Sequence, residues 1–498
     1  MKNLAFALMM QVTYTLTSFI TRTMLVKTLG VETAGLNGLF AEIIAVLSLT
    51  ELGVGGVITY HLYKPLAEGD TDRLTRLMTL YRRAYRVFAG VTLLGGALLM
   101  PLLPLLITDV SLPMDYVRKV FALFVVQTAS TYLLSYKSAL IDADQKHYLV
   151  ALVNAAARVA QCALCVAVLF LTREFLWYLA ASIATNLLGN AVLSLLADRR
   201  YPFLKTSLPL PAEERRALFS NVRHQFVGKL SGRITNSTDN ILISVMVSTA
   251  LVGYYSYYAL VFSSLRNLIT QFSAAATGSI GNLMATESEE KCEETLRRLT
   301  YVFFAVTGPC LTALYCAFEP LIRVWLGESF VLGQAVLLCC VLNAYLALIR
   351  SPLFSMLDAS GLFRENRDIS LLASLVNLVV SVALAPSLGI VGILLGTVCT
   401  HIIQIALKTR LLFRKRLKRS ARGFSMLLLA MGALFAVQLA AAGLVCGRIA
   451  LASDWAALVL YALIGFGLSA LSTLACSFKT PEFRYTRWLA RTALGARK

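Results

Sequence analysis

The chain has 498 residues, of which 58% are hydrophobic and only 15% charged, with a mean hydropathy of +0.71. A soluble fold of this length needs far more polar surface, so the composition requires a polytopic membrane protein. The net charge of +19 and the pI near 9.6 would suit a nucleic-acid partner, but the cations cluster in alternating loops, where they act as orientation signals.

Apolar runs of about 20 residues place membrane spans at 4–26, 36–60, 84–107, 117–140, 149–171 and 175–197. A charged stretch, 198–221, follows and contains Leu208-Pro-Leu-Pro211, which reads as a turn entering a surface helix. Six more spans follow at 222–247, 251–283, 300–318, 331–350, 369–388 and 390–413. A basic loop at 414–423 leads to two extra spans, 424–446 and 455–475, and a basic tail, 476–498. The expected fold is therefore all-α, with about 14 transmembrane helices. It divides into a lobe at 1–197, a linker at 198–221, a lobe at 222–413 and a C-terminal helix pair within 424–475. With the N-terminus inside, outer loops hold only Lys27, Arg173, Arg323 and Arg448, against twenty-nine Lys and Arg on inner segments. That asymmetry puts both termini in the cytoplasm. The first apolar run lacks a clean small-x-small exit and reads as a retained span rather than a cleaved signal.

Two stretches 218 positions apart carry the same polar stripe. Gln11, Thr15, Ser18 and Arg22 share one helix face, and Lys229, Arg233, Asn236 and Asn240 repeat the spacing in register. Gly35 and Gly253 align at the same shift, each opening the second span of its half. An even number of spans per half makes these parallel repeats, related by an axis along the membrane normal. Two matched polar walls around a central cavity are the expected result, with the cationic second wall suited to an anionic cargo.

The charges inside the spans sharpen this. Arg86, Arg118, Lys119, Lys137, Arg223, Arg350, Lys408 and Arg410 lie near span ends and are expected to snorkel. Arg158, Lys229, Arg233 and Arg266 sit deeper, and Arg22 is about a turn from the outer end. Each costs about 2.5–3.5 kcal/mol at mid-bilayer on insertion scales. The acids Glu42, Glu51 and Asp239 are fewer, with Glu51–Arg22 and Asp239–Arg233 as expected ion pairs. For any single cation a buried pair explains the position as well as substrate contact does. As a group, Arg22, Arg158, Lys229, Arg233 and Arg266 read as a cationic cavity, with Gln11, Glu51, Asn236, Asp239 and Asn240 as polar or pairing residues. Arginine and lysine there suit phosphate or pyrophosphate. Tyr254, Tyr255, Tyr257 and Tyr258 read as an aromatic belt, and His401, on a striped face with Thr397, Gln404 and Lys408, as a satisfied core residue. Cys162-x-x-Cys165 reads as packing, and four scattered histidines give no metal site; no cofactor is expected.

Several motifs together resemble one family. They are Leu29-Gly30, Gly35-Leu-Asn-Gly-Leu-Phe40, Glu51-Leu-Gly53, Tyr60-x-Leu-Tyr63-Lys-Pro-Leu66, Asp239-Asn-Ile-Leu-Ile-Ser244, Val252-Gly253-Tyr-Tyr255, Gly281-Asn-Leu283 and Leu321-Ile-Arg-Val-Trp-Leu-Gly327. Over residues 1 to about 413 the chain resembles the polysaccharide-transport (Wzx-like) flippases, of the superfamily that also holds the MATE drug exporters and the lipid II flippase MurJ. The resemblance implies two six-helix lobes around a central cavity in the bacterial inner membrane. It implies a non-enzymatic carrier that moves polyprenyl-pyrophosphate-linked oligosaccharide between leaflets by alternating access, for capsule, exopolysaccharide or other envelope polymers. Implied partners are that cargo, membrane lipids, and the glycosyltransferases and polymerase of the same pathway. A lipid II flippase and a cation-coupled multidrug exporter are the alternatives within the fold. The exporter fits less well, since the first span carries Arg22 and no carboxylate.

Overall fold

A computed structural model describes residues 2–48, 54–211, 213–214 and 238–486, and among these there is no β-strand. The long helices are α1 (Lys2–Leu47), α2 (Val54–Glu68), α3 (Thr71–Leu99), α4 (Met114–Ser135), α5 (His147–Thr172), α6 (Phe175–Arg200) and α7 (Thr249–Thr286). They continue with α8 (Glu289–Trp325), α9 (Gln334–Ile349), α10 (Ser351–Ala359), α11 (Phe363–Leu388), α12 (Ile390–Leu412), α13 (Arg422–Gly447) and α14 (Asp454–Ser477). Among the described residues, eleven helices are long and apolar enough to cross a membrane. The protein is an all-α, multi-pass membrane protein. The expected spans 4–26 and 36–60 begin on one helix: α1 is broken only at Gly30, whose φ of 81° and ψ of 176° are non-helical. No loop separates them, because a residue without Cβ turns the chain in a single step. The span at 222–247 lies largely outside the described residues, and the one at 251–283 corresponds to α7. The chain divides into two compact units, Met1–Tyr257 and Tyr258–Lys498.

In the first unit, α1 packs on α5, α5 on α6, and α3 on α4. The threonines of α1 are satisfied within the helix: the hydroxyls of Thr13, Thr17, Thr21, Thr23 and Thr28 each donate to the carbonyl four residues back, at 2.6–2.9 Å. Beyond its kink, α1 meets the start of α7 backbone to backbone. A Cβ on Gly35 would lie 2.3 Å from the Thr249 carbonyl oxygen, and one on Gly253 would lie 2.4 Å from that of Val31. Hydroxyls tie the same region together. Thr108 Oγ1 donates to Ser244 O (2.6 Å), Ser244 Oγ to Leu106 O (2.7 Å), and Thr108 N to Thr249 Oγ1 (3.0 Å). At one end of the unit, Tyr81, Tyr85, Phe88, Tyr132 and Tyr136 form an aromatic core with ring centroids 4.8–6.4 Å apart.

Two expectations fail here. Lys137 does not snorkel: its ammonium binds Asp198 (2.6 Å) and Ser194 (2.8 Å) on α6, with 13% of its side chain exposed. The tyrosine belt is half core, since Tyr257 and Tyr258 are each 1% exposed. Tyr257 Oη donates to Arg22 O at 2.9 Å; Tyr258, in the second unit, packs on Phe318 and accepts from the Leu332 N–H.

In the second unit α8 and the α9–α10 stretch are the most enclosed: 61% of the apolar part of each is buried inside the protein, against 22% for α14. The C-terminal pair docks on it. Gln438 of α13 donates to Ser472 (2.8 Å) and Thr473 (2.9 Å) and accepts from Ser469 (2.8 Å), all on α14. Gly465 of α14 brings that backbone against Thr312 and Ala313 of α8. Tyr345 of α9 stacks on Phe435 of α13 at 4.2 Å. The hairpin of α11 and α12 is closed by small residues, with Gly392 and Gly396 against Leu384 and Ser381, and by Asn377 donating to Thr397 (3.0 Å).

Gly35→Ala and Gly253→Ala should each lower the melting temperature of the purified protein, at a cost of about 1–3 kcal/mol or more, since the clash is with backbone. Gly90→Ala, where a Cβ meets nothing within 4 Å, is the control and should be neutral or mildly stabilising. Lys137→Ala should cost about 1–3 kcal/mol, and Lys137→Ala with Asp198→Ala should recover part of it. A double-variant loss equal to the sum of the Lys137→Ala and Asp198→Ala losses would show that the pair contributes nothing.

Candidate functional site

Each unit holds a polar centre within its apolar helices. In the first, α5 presents Asn154, Arg158 and Gln161 at i, i+4 and i+7, one face of a helix. With Met10 and Tyr14 of α1 and Thr185, Asn186, Gly189 and Asn190 of α6, they line a cavity of about 200 Å³. The Arg158 guanidinium lies 4.4 Å over the Tyr14 ring, donates to Gln161 Oε1 at 2.8 Å and to Ser18 Oγ at 3.3 Å, and leaves its buried Nε without a partner. Gln161 in turn donates to Ser182 Oγ (2.6 Å), and Asn190 to Asn186 Oδ1 (2.7 Å). A Cβ on Gly189 would sit 2.9 Å from that of Ala157, so glycine lets α6 close against α5 beside the pocket. Among the described residues no carboxylate lines it.

In the second unit, α12 carries His401, Gln404 and Lys408, which are 5%, 6% and 3% exposed. Arg350, at the C-terminus of α9, donates to Gln404 Oε1. Its guanidinium lies 4.5 Å from the Phe354 ring of α10, and Lys408 Nζ lies 3.9 Å from the same ring. Two cations thus share one aromatic side chain. Arg266 of α7 is close enough to Arg350 and His401 for their charges to interact, and Asp358 likewise faces Lys408. His401 Nδ1 has no hydrogen-bond partner. Among the described residues the cluster therefore gathers three basic side chains, one carboxylate and an imidazole with an unmet nitrogen.

Of the residues expected in a cationic cavity, Arg158 lines the first-unit pocket and Arg266 joins the second-unit cluster. Arg22 Nη1 donates to the Ser256 carbonyl at 3.1 Å, fastening α1 to α7. Gln11 Nε2 reaches Thr15 Oγ1 at 3.5 Å along its own helix. Asn240 is described, with its Oδ1 buried and unpartnered, and Asp239 beside it is described too. Lys229, Arg233, Asn236 and Glu51 lie outside the described residues. Arg350 and Lys408, expected to snorkel, are instead turned into the protein, because Phe354 and Gln404 hold their heads inside. His401 is buried as expected but not satisfied. The pocket amides Asn154, Asn186 and Asn190 went unread, although Asn154-Arg158-Gln161 has the spacing of the N-terminal stripe. Cys162 and Cys165 face different backbones, those of Thr17 and Tyr178, as packing residues do. Among the described residues no group of His, Cys, Asp or Glu could hold a metal ion.

A family model described as "Polysaccharide biosynthesis protein" matches residues 87–332. The fold is similar to that of the lipid II flippase MurJ in an inward closed conformation (TM-score 0.69, 13% identity, 93% of this chain and 98% of that one). It is also similar to an inward-facing multidrug resistance transporter of the MATE family (TM-score 0.61, 15% identity, 82% and 94%). A third likeness is to the Vibrio cholerae MATE transporter VcmN (TM-score 0.57, 16% identity, 84% and 97%). At these identities the structures show the fold alone. A search of curated proteins gave no match. The helical architecture is thus the fold seen in MurJ and the MATE transporters, and residues 87–332 match the polysaccharide-biosynthesis family model.

Proposed function

We propose that this protein moves a polyprenyl-pyrophosphate-linked oligosaccharide from the inner to the outer leaflet of the bacterial cytoplasmic membrane, supplying capsule, exopolysaccharide or another envelope polymer. In this reading the lobes at 1–197 and 222–413 rock about a central cavity that opens to each side in turn, with both termini cytoplasmic. The observation that carries it is the excess of cations in membrane-spanning helices. Arg350 lies near both Arg266 and Lys408, and among the described residues Asp358 is the acid that acts on Lys408. Such charges are costly in lipid and are retained where an anion visits. A pyrophosphate supplies the missing negative charge, with arginine giving forked hydrogen bonds and lysine a point charge. Arg22, Lys229 and Arg233 are the further candidates for this role, and Arg158 is a candidate for contact with the sugar portion of the cargo. Glycosyltransferases and the polymerase of the same pathway would act on either side of the step.

A second reading within the fold is a lipid II flippase, which the likeness to MurJ favours. A cation-coupled drug exporter is disfavoured, because cationic cargo calls for carboxylates and, among the described residues, the first-unit pocket carries Arg158 with none. Genomic neighbours separate the first two: glycosyltransferase genes point to a polysaccharide, division or sporulation genes to lipid II.

In a strain whose surface polymer depends on this gene, Arg266→Ala and Arg350→Met should each reduce polymer at least about tenfold at unchanged protein level, the effect of losing one charged contact. Wild-type polymer from both would remove the cationic-cavity reading. Arg350→Met should also melt no lower than wild type, because it relieves repulsion among buried like charges. A large drop in melting temperature would make Arg350 a structural residue instead.

A further inference from the structure

We propose that the pocket between α1, α5 and α6 is a monosaccharide subsite selective for an acidic sugar, with Arg158 opposite the sugar's carboxylate. The polar load is the first argument. Arg158, Gln161, Asn154, Asn186, Asn190 and Thr185 converge from two membrane-spanning helices, a density that lipid-facing or purely structural helices do not carry. Amides offer a donor and an acceptor on one side chain, which matches the neighbouring hydroxyls of a sugar ring.

The size is the second argument. At about 200 Å³ the cavity is smaller than the 300–1,000 Å³ usual for drug-sized ligands, so it takes one ring of a chain and not the whole chain. The charge is the third. Tyr14, Gln161 and Ser18 hold the guanidinium in place, and its buried Nε is left without a partner. One fixed cation among neutral amides fits a singly charged, polyhydroxylated group. Pyrophosphate, with more charge and few hydroxyl-like partners to offer, fits the tri-cationic cluster of the other unit better. The subsite rests on the flippase reading only for what delivers the sugar; binding itself is a property of the isolated protein.

The test is calorimetric titration of the detergent-purified full chain with sodium glucuronate, glucose and sodium acetate. Glucuronate should bind at least about tenfold more tightly than either other probe. Arg158→Gln should remove that preference while leaving glucose unchanged, and Asn186→Ala should weaken both sugars. Arg350→Met, in the other unit, should bind glucuronate as wild type does even where it abolishes polymer. Equal affinity for glucose and glucuronate overturns the acidic preference. Equal affinity for acetate and glucuronate reduces the pocket to a carboxylate site and overturns the proposal, as does absence of saturable glucuronate binding. Glucuronate binding by a protein whose loss leaves surface polymer intact would support the subsite and remove the flippase reading.

Discussion

The crossing of Gly35 on Gly253 is the contact around which the first unit is arranged. Two membrane helices gain little from burying apolar side chains against each other, because lipid is equally apolar; they gain from close backbone approach and from hydrogen bonds. Here both are concentrated in one place. The glycines bring the Val31 and Thr249 carbonyls to within reach of the opposing helix. Arg22 and Tyr257 exchange bonds with each other's helix a few turns away, and Thr108, Ser244 and Thr249 close the other flank. The two glycines are also 218 positions apart, equivalent sites in the repeated pattern.

The second constraint is the cost of charge. The protein handles it in two ways. Lys137 and Asp198 neutralise each other at the end of α4, a local solution that needs no visitor. Around Phe354 the cations outnumber the acids, and an aromatic face and an amide compensate only partly. The pocket of the first unit differs again: one cation, held rigidly, within a ring of neutral amides. The two centres thus differ in chemistry, one gathering several basic side chains and the other a single guanidinium among amides.

Most of the architecture was legible in the sequence because hydropathy over about 20 residues reports the membrane directly. The break at Gly30 was not, since the apolar pattern continues across it and a one-residue kink leaves no compositional trace. Position along a helix proved a poor guide to the fate of a charge. Lys137, Arg350 and Lys408 all lie near span ends, where snorkelling is the natural expectation, yet which way each head turns depends on Asp198, Gln404 and Phe354, partners distant in sequence. The tyrosines show the same limit: residue type marks an interface, but helix phase sends Tyr257 and Tyr258 inward. The Asn154-Arg158-Gln161 stripe, by contrast, was readable in principle. It was overlooked because only Arg158 is charged, and amides at helical spacing attract less notice than ions.

The docking of the last helix pair on α8 has a consequence for how the protein is made. The face of α8 that receives Gly465 and the Gln438 network enters the membrane about 130 residues before α14 is synthesised. At a translation rate of roughly 5–20 residues per second, that face waits on the order of ten seconds without its partner. Thr312, Gly308 and the neighbouring Pro309 of α8 are meanwhile open to lipid or to any insertion factor that holds them. The final hairpin therefore acts as the closing step of assembly, and a chain that stops short of it leaves α8 unfinished.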